Sequence, residues 1–375
     1  MKLYLFLICL GILPIFKDNS ETIIYFEEYN KLENINPQLQ KYIQEIKSDS
    51  AIEIFHIGDS HIQIGEFSKG FLSGLYKNKI EVENGWYLPN LIFQDLPLQK
   101  DNLKHICASF LGENITQMNK TLNIGLTGRA FHFDEKEAIL KFKFIEKVST
   151  VEFFHSQSSS VSFESNQPYF VKSNNISENL IVTEVHFKKS HLQFKIHIKN
   201  PEKEPLEFYA IKNGFKKKGV YYSNFGVSGA TFQDFEFTPN FYAQLIALKP
   251  KILIITLGTN DSYKNELDQS FFSSELTSFI KKIKVNSPKT ELIFMNTPDT
   301  YYENKNPPNS DFVNSEIERI SKEQNCAFWN WNKIMGGKGS IQLWKEKGLT
   351  NNDLLHFSSD GYFLLGKLFS QAILN

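Results

Sequence analysis

Cysteine is scarce in this chain, with three among 375 residues. The spacing of Cys107 and Cys326 matches no zinc-binding pattern, which argues against a cysteine-based metal centre. Cys326 begins a strand-like segment that ends at Trp331, so we expect a buried core thiol there rather than a disulfide. Cys9 lies in an apolar stretch without a small residue before it, which argues against a lipoprotein cleavage site.

A charge excess of either sign is also absent, since Lys and Arg total 41 and Asp and Glu total 42. With a formal net charge of −1, the chain has no global field that would attract nucleic acid. Three lysines cluster at positions 216 to 218, a pattern typical of solvated loops. We therefore predict no nucleic-acid partner.

An apolar run of full membrane-spanning length is missing as well. Lys2 precedes the apolar stretch from Leu3 to Phe16, which has the length of a signal-peptide core. No clear small-residue cleavage site follows it, so an uncleaved anchor stays open. We predict that residues 1–18 are a signal peptide or an N-terminal anchor. The expected location is secreted or periplasmic, with peripheral association with the cell envelope left open.

Gly58-Asp59-Ser60-His61 follows an apolar strand pattern from Ile52 to Ile57 and precedes apolar residues at helical spacing between Glu66 and Tyr76. Ser60 would thus lie at a strand-to-helix junction, where backbone N–H groups favour developing negative charge. A serine hydroxyl needs a neighbouring imidazole to act as a nucleophile. Read alone, the motif fits an ordinary turn equally well.

Asp353-Leu-Leu-His356, near the end of the chain, supplies an imidazole and a carboxylate. Asp353 lies in a loop three residues before His356 and is the candidate that orients it. Two other carboxylates have competing interpretations: Asp59 is better placed to cap the helix after Ser60, and Asp360 to cap the last helix. The expected catalytic triad is therefore Ser60, His356 and Asp353.

Two further segments offer oxyanion donors. Asn224-Phe-Gly-Val-Ser-Gly229 follows a short apolar run, and a glycine there would let a backbone N–H approach a substrate closely. Gly258-Thr-Asn260-Asp261 ends a near-continuous apolar strand, at the edge where open α/β sheets bind ligands. Taken singly, Gly229 and Asn260 each fit ordinary turn positions.

A competing serine-hydrolase architecture can be tested on the same residues. The α/β-hydrolase elbow requires Gly-x-Ser-x-Gly, and Ile62 stands where the second glycine would follow Ser60. The segment around Ser228 lacks the elbow spacing too. We therefore interpret Ser228 as structural.

The order of these four blocks resembles that of the SGNH hydrolase superfamily, also called GDSL-type esterases. The resemblance implies Ser60 as nucleophile, His356 as base and Asp353 as the residue that orients the base. It further implies an oxyanion hole made of the Ser60 N–H, the Gly229 N–H and the Asn260 amide, on a flavodoxin-like three-layer α/β/α fold. No cofactor and no metal are expected.

His61 stands where this superfamily usually has a hydrophobic residue, and a long insertion precedes the second block. Both features resemble the peptidoglycan O-acetylesterase branch of the superfamily. The resemblance implies that the insertion is a β-sandwich similar to a carbohydrate-binding module.

Strand and helix patterns alternate after residue 215, which predicts a parallel sheet covered on both faces. Between about residues 95 and 212 short alternating runs replace them, which predicts a jelly-roll-like all-β sandwich. Strands are predicted there at 138–145, 150–154, 160–163, 180–187, 192–198 and 206–211. The predicted organisation is an α/β hydrolase domain at 19–94 and 213–375, interrupted by the insertion at 95–212.

Three histidines of the insertion, at positions 186, 191 and 197, raise the question of a metal site. His191 and His197 share one face of a predicted strand and are about 20 Å apart by strand rise. That separation is too large for a common ion. We interpret these side chains as solvent-facing.

These features predict a serine esterase that removes O-acetyl groups from a polysaccharide, with peptidoglycan as the first choice. The expected partner is an O-acetylated polysaccharide of the cell wall. Two alternatives stay open: a carbohydrate O-acetyltransferase with the same triad, and a catalytically inert glycan-binding protein. The motifs cannot separate hydrolysis from transfer, because both reactions use the same acyl-enzyme.

Overall fold

The computed structural model describes residues 24–48, 50–87, 103–105, 111–158, 160–214, 218–238, 240–302 and 305–375. The predicted export segment and Cys107 lie outside these ranges, so both export and the pairing state of Cys107 stay predictions. Cys326 is buried, as expected, and burial raises the pKa of its thiol to about 12. No helix within the described ranges combines the length and the apolar character that a membrane crossing requires.

The described strands, β1 to β15, are Ile52–Gly58, Val82–Asn84, Trp86–Tyr87, Leu103–His105, Leu111–Asn114, Arg129–Phe133, Glu137–His155, Ser162–Ser165, Tyr169–Ser177, Leu180–Lys199, Leu206–Asn213, Val220–Gly226, Ile252–Thr256, Glu291–Met295 and Ala327–Trp329. The described α-helices, α1 to α11, are Pro37–Lys47, Ser60–Gln63, Glu66–Lys77, Phe232–Glu236, Phe241–Leu248, Thr259–Ser262, Gln269–Asn286, Ser310–Glu323, Trp331–Met335, Ser340–Glu346 and Ser359–Leu374. A 3-10 helix, Glu27–Tyr29, precedes them.

Six of these strands form a parallel sheet in the order β15-β14-β13-β1-β12-β2. Without the edge strand β2, this is the 2-1-3-4-5 order of flavodoxin-like folds, so the predicted fold is confirmed. The chain winds first to one side of β1 and then to the other. The loops after β1 and β13 therefore meet at the switch point where such sheets bind ligands.

Helices cover both faces of the parallel sheet. Alternate side chains of β1 enter different cores, because successive residues of a strand point to opposite faces. Ile54 packs in the core that includes α1, α3 and α11, whereas Phe55 packs in the core that includes α4, α5, α7 and α8. The predicted three-layer arrangement is thus observed.

Helices α3 and α11 pack closely against each other and tie the two ends of the chain together. A Cβ added at Gly70 of α3 would overlap the carbonyl oxygen of Phe363, and one at Gly366 of α11 would overlap that of Phe67. Glycine at these two positions therefore permits the short interhelical distance. Since α3 follows Ser60 and α11 follows His356, this packing brings the two motifs to the same region.

The other nine described strands form one antiparallel sheet, and the predicted all-β character of the insertion is confirmed. Its central path is β5-β6-β11-β7-β10-β8, with β3, β4 and β9 paired to β11, β7 and β10. Strands β7 and β10 each join two strands that the sequence predicts separately. In β10 a register shift between His186 and His191 lets the pairing with β7 continue past the polar residues 188 to 190.

These two long strands fold the antiparallel sheet onto itself. Phe142, in the first half of β7, stacks on Phe194 of β10 with ring centroids 4.9 Å apart. Phe153, in the second half of β7, lies 6.3 Å from Phe142 and 4.8 Å from Phe163 of β8 between ring centroids. Side chains from both halves therefore share one core, as in a β-sandwich.

Strands β2 to β6 and β9 were not among the predicted strands. β9 is largely exposed along its length and carries polar residues, so its sequence shows no buried alternation. The chain leaves the parallel sheet after Asn84 of β2 and enters the antiparallel sheet at Trp86 of β3, ahead of the predicted boundary at 94. It has returned to the parallel sheet by Val220 of β12. The domain boundaries themselves stay a prediction.

Candidate active site

The turn between β1 and α2 presents Ser60. Asp59 caps α2, because its Oδ1 accepts the N–H of His61 at 2.9 Å, and its predicted capping role is confirmed. Ser60 is the first residue of the helix, so its own N–H has no acceptor within the helix. A Cβ at Gly58 would overlap the side chain of Ile62, so the turn requires glycine at that position.

The structure brings the three predicted triad residues into one hydrogen-bonded chain. The Nε2 atom of His356 lies 3.0 Å from Ser60 Oγ, and its Nδ1 atom lies 2.8 Å from Asp353 Oδ2. Partial burial by itself would raise the pKa of Asp353. Hydrogen bonds from the N–H groups of His356 and Leu355 and from the His356 ring outweigh it, so the pKa lies below its usual value. Asp353 is therefore the acceptor that selects the Nδ1–H tautomer of His356.

The loop that carries Asp353 and His356 has a constrained shape. Leu354 adopts a left-handed backbone conformation with φ +54°, which costs a non-glycine residue about 1 kcal/mol or more. Its carbonyl accepts the N–H of Tyr301 at 2.8 Å, and the His356 carbonyl accepts the N–H of Asn351 at 2.8 Å. These two bonds hold the conformation that turns the Asp353 carboxylate back toward the His356 ring.

One predicted cap in this region is wrong. Asp360 was expected to cap the last helix, but α11 begins at Ser359 and its N-cap is Ser358, whose Oγ accepts the Gly361 N–H at 3.3 Å. Asp360 lies instead in the first helical turn, exposed to solvent, where a negative charge still complements the helix dipole. Asp353 remains the carboxylate that meets His356.

Gly229, in the loop after β12, and Asn260, in the short helix α6 after β13, are the two other predicted oxyanion donors, and their segments touch each other. Gly229 follows β12 with φ +81°, a left-handed conformation that favours glycine. The Asn260 Nδ2 donates to the Ala230 carbonyl at 3.0 Å, which uses one of its two hydrogens and leaves the other for a ligand. The side chain of Asn260 is thus anchored to the loop that carries Gly229.

Two residues to which the sequence assigned no role join this loop to the nucleophile turn. Gln63, the last residue of α2, accepts the N–H of Ser228 through its Oε1. The Asn224 Nδ2 donates to the Ile62 carbonyl at 2.6 Å, while its Oδ1 accepts the Gly226 N–H at 2.8 Å. Asn224 lies within the motif that contains Gly229, and this proximity was the available sequence signal.

A buried chain of polar side chains continues from Asn224 beneath the site. Ser68 Oγ accepts from Asn224 Nδ2 at 2.9 Å and lies 3.2 Å from the Tyr222 hydroxyl. That hydroxyl is 2.6 Å from His56 Nδ1, and His56 Nε2 is 2.7 Å from Thr256 Oγ1. Burial lowers the pKa of His56 to about 3, so its ring is neutral and both nitrogens are satisfied within the protein. The chain links β1, β12, β13 and α3.

His61, the residue next to Ser60, is buried among aromatic rings. Its ring centroid lies 5.6 Å from that of His356 and 5.7 Å from that of Trp331, and its Nδ1 is 2.8 Å from the Tyr362 hydroxyl. Burial, followed by the proximity of His356, lowers the pKa of His61 to about 3. His61 is therefore a neutral ring beside His356 and adds no second positive charge there.

Two buried carboxyl groups lie below the site. Burial raises the pKa of Asp59 to about 7, and Asp261 adds to that effect. Burial also raises the pKa of Asp261, which forms an ion pair with Lys264 at 2.9 Å. Across the described ranges, no three His, Cys, Asp or Glu side chains converge in a way that could hold a metal ion.

The insertion reaches the oxyanion loop. Arg129 of β6 is buried, and its Nη2 donates to the Gly226 carbonyl at 2.7 Å. Thr116, also in the insertion, is the nearest side chain to the position that a Cβ on Gly229 would take, at 3.8 Å. The antiparallel sheet therefore borders the site, although it supplies no residue of the Ser60–His356–Asp353 chain.

Comparison with known proteins gives one family match. Residues 210–364 match the GDSL-like Lipase/Acylhydrolase family, a stretch that holds Gly229, Asn260, Asp353 and His356 but not Ser60. No curated protein matches the chain.

Several solved structures are similar to the chain. A structure of a peptidoglycan O-acetylesterase has TM-score 0.73 at 18% identity, over 91% of this chain and 97% of that chain. At this identity the likeness shows the fold alone, and it extends over the insertion.

Two other structures score much lower. A family two carbohydrate esterase from Cellvibrio japonicus has TM-score 0.32 at 12% identity, over 70% of this chain and 97% of that chain. The psychrotrophic esterase EstA from Pseudoalteromonas sp. has TM-score 0.34 at 21% identity, over 41% of this chain and 76% of that chain.

Proposed function

We propose that the protein is a serine esterase that removes O-acetyl groups from a polysaccharide, a proposal that the match of residues 210–364 to the GDSL-like Lipase/Acylhydrolase family supports. The observation that carries this proposal is the hydrogen-bonded chain from Ser60 through His356 to Asp353, with distances of 3.0 and 2.8 Å. Such a chain lets an imidazole accept the serine proton while a carboxylate holds its tautomer.

In the proposed mechanism Ser60 Oγ attacks the acetyl carbonyl carbon as His356 Nε2 takes its proton. The Ser60 N–H, the Gly229 N–H and the Asn260 amide stabilise the oxyanion of the tetrahedral intermediate. When the intermediate collapses, the bond to the sugar oxygen breaks and His356 returns the proton to that oxygen. Water, deprotonated by His356, then attacks the acetyl-enzyme and releases acetate and free Ser60.

Peptidoglycan is the substrate that we propose within this class. Support comes from the fold, which is similar to that of a peptidoglycan O-acetylesterase over nearly the whole of both chains. The apolar stretch from Leu3 to Phe16 would direct the protein to a secreted or periplasmic location. An exported enzyme would have access to a cell-wall glycan, so the two proposals are mutually consistent.

Acetate release tests the proposal. Purified protein would be assayed on O-acetylated peptidoglycan, on acetylated xylan and on 4-nitrophenyl acetate. We expect the highest kcat/KM on peptidoglycan and loss of nearly all activity in Ser60→Ala, because no acyl-enzyme can form. Ser228→Ala should keep a kcat/KM close to that of the wild type. Ser228 donates its backbone N–H to Gln63 Oε1, and alanine retains that N–H.

Two results would contradict the proposal. Wild-type turnover of 4-nitrophenyl acetate by Ser60→Ala would show that Ser60 is not the nucleophile. Dominant transfer of acetate to an added glycan acceptor, measured against free acetate, would show a transferase rather than an esterase.

A further inference from the structure

Two tyrosine rings lie beside the candidate active site without a part in its triad. Tyr263 directly follows α6, the short helix that carries Asn260. Tyr302 lies in the loop between β14 and α8, and its ring packs edge-on against that of Tyr263 with centroids 6.0 Å apart. Tyr302 is 49% exposed, whereas Tyr263 is half-buried. One ring of the pair is thus presented to solvent and the other supports it.

Hydrogen bonds fix this pair relative to the loop that carries the base. The Tyr263 hydroxyl is 3.0 Å from Thr300 Oγ1, and the next residue, Tyr301, donates its N–H to the Leu354 carbonyl at 2.8 Å. Tyr302 exchanges both backbone hydrogen bonds with Lys305 at 3.0 Å, which fixes its backbone. Consecutive Cα atoms are about 3.8 Å apart, so Tyr302 lies close to the Asp353–His356 loop.

The electrostatics of Tyr263 agree with this placement. Burial raises the pKa of Tyr263 to about 12, and the charges of Asp299 and Asp353 add to the effect. The contact that places the pair is the backbone bond from Tyr301 to Leu354, the residue next to Asp353. The tyrosine pair lies on the side of the site that holds Asp353.

The proposed mechanism determines what occupies that side. His356 returns its proton to the leaving oxygen, so the alcohol part of the ester must lie next to His356. The acyl oxygen instead faces the Gly229 N–H and the Asn260 amide. The Asn260 side chain is bonded from α6 to the Ala230 carbonyl, next to Gly229, whereas the Tyr263 hydroxyl meets Thr300. A group beside the Asp353–His356 loop would therefore contact the alcohol and not the acetyl group.

A sugar ring has the chemistry that suits such a pair. The C–H face of a pyranose is apolar and packs flat on an aromatic ring, while its hydroxyls need polar partners at the edge. Tyrosine provides both an apolar face and a hydroxyl. The partly exposed Tyr302 offers both, while the buried Thr300 holds the Tyr263 hydroxyl and so fixes the ring against which Tyr302 packs.

From this placement we propose that Tyr263 and Tyr302 form a subsite for the pyranose ring that carries the acetyl ester, with Tyr302 as the stacking residue. The inference rests on the proposed function and names the part of the substrate that this surface recognises. It makes Tyr302 a specificity residue rather than a catalytic one.

The first test compares two substrates in Tyr302→Ala. If the sugar contact is worth as much as an aromatic pair, about 0.5–1.5 kcal/mol, the ratio of kcat/KM on O-acetylated glycan to that on 4-nitrophenyl acetate should fall about two- to twelvefold. The change should come mainly from a higher KM, and Tyr302→Trp should restore the ratio. Tyr76→Ala is the matched control, because Tyr76 is an exposed tyrosine on α3, 72% accessible and outside the site.

A second test does not require turnover. The Kd of an O-acetylated chito-oligosaccharide would be measured by titration calorimetry with Ser60→Ala and with Ser60→Ala/Tyr302→Ala. We expect a several-fold higher Kd in the double variant. If the wild type released no acetate from any glycan, the proposed function would fail, while this binding comparison would still decide the subsite.

Three outcomes would overturn the inference. Equal losses on glycan and on 4-nitrophenyl acetate would show a purely structural role for Tyr302. A loss that appears only with 4-nitrophenyl octanoate would show that the rings contact an acyl chain. An unchanged Kd in the double variant would show that no sugar packs on Tyr302.

Discussion

The two sheets of this protein differ in where they place polar side chains. Every strand of the parallel sheet runs in the same direction, so the loops after β1, β12 and β13 converge at one edge, where Ser60, Gly229 and Asn260 lie. In the antiparallel sheet neighbouring strands end at opposite edges, and polar side chains pair locally. In β10, for example, His186 Nε2 lies 2.7 Å from Oε2 of Glu184 in the same strand. Its Nδ1 lies 3.1 Å from Oγ1 of Thr150 in the neighbouring strand β7.

This difference indicates a division of labour. A parallel sheet concentrates the ends of its strands at one edge, which suits the assembly of several catalytic groups. The insertion supports the parallel sheet at two places. Arg129 donates to the Gly226 carbonyl ahead of the Gly229 loop, and Lys212 forms a buried ion pair with Glu53 of β1 at 2.8 Å. The following predictions test whether catalysis belongs to one sheet and support to the other.

The largest expected effect is at the base. His356→Ala removes the proton acceptor of Ser60, so kcat for ester hydrolysis should fall on the order of 10⁴-fold or more. His197→Ala, a half-exposed histidine of β10, is the matched control and should leave kcat near the wild-type value. Steady-state assays on 4-nitrophenyl acetate measure both. A comparable loss of kcat in His197→Ala would contradict the assignment of catalysis to the parallel sheet alone.

The next effect concerns two of the contacts between the sheets. Arg129→Met removes the hydrogen bond to the Gly226 carbonyl and should loosen the loop that carries Gly229. A hydrogen bond from a charged group contributes about 1.5–3 kcal/mol, so we expect kcat to fall about ten- to a hundredfold with little change in KM. Tm should fall as well, and Arg129→Lys should restore part of kcat.

Lys212→Met is the matched comparison for Arg129→Met. Glu53 lies near the start of β1, about 17 Å by strand rise from its carboxyl end, so breaking the Lys212–Glu53 pair should lower Tm without lowering kcat of the folded enzyme. Thermal unfolding and kinetics on the same samples separate the two effects. Equal kcat values for both variants would show that Arg129 does not support the oxyanion loop.

The smallest effect is the dependence of stability on pH. The pKa of Asp59 in the folded state is about 7, above its unfolded value of 3.8. The folded state therefore binds more protons between these values, and the contribution of Asp59 to stability falls as pH rises from about 4 to 7. Asn also caps helices, so Asp59→Asn should gain stability relative to the wild type across this range, by at most about 1.4 kcal/mol per pH unit.

His155 of the insertion should show the opposite sign. Burial lowers its pKa from 6.5 to about 4, so the unfolded state binds more protons between these values. Its contribution to stability is then lost as pH falls from about 6.5 to 4. Urea unfolding of Asp59→Asn, His155→Gln and the wild type at several pH values measures both slopes. Slopes of the same sign for the two variants would contradict these assignments.

Much of the fold was predictable from the sequence because it depends on local patterns. Apolar runs such as Ile52–Ile57 correspond to buried strands, and the helical spacing after Glu66 corresponds to α3. The insertion was predictable in class but not in detail, since β10 continues through polar residues by a register shift that depends on its partner β7. The Asp360 cap was wrong because Ser358, two residues earlier, offered an equally good capping side chain.

The candidate site, like the fold, has a part that was predictable from the sequence and a part that was not. The residues Ser60, Gly229, Asn260, Asp353 and His356 could be named from motifs, since each motif is short and contiguous. The contacts of Gln63, Asn224 and Arg129 and the packing of Tyr263 on Tyr302 could not, because each joins residues that are distant in the sequence. Asn224 is bonded to Ile62 across 162 positions, and Arg129 to Gly226 across 97.

By itself, the sequence determined which residue types stand at the ends of which strands, because strand and helix patterns and turn motifs are local properties of the chain. Only the tertiary structure decided that Ser60 and His356 meet, 296 positions apart, at 3.0 Å. The physical reason is long-range packing. Glycines on α3 and α11 permit the two helices to touch, and the parallel sheet directs its carboxyl ends to one edge.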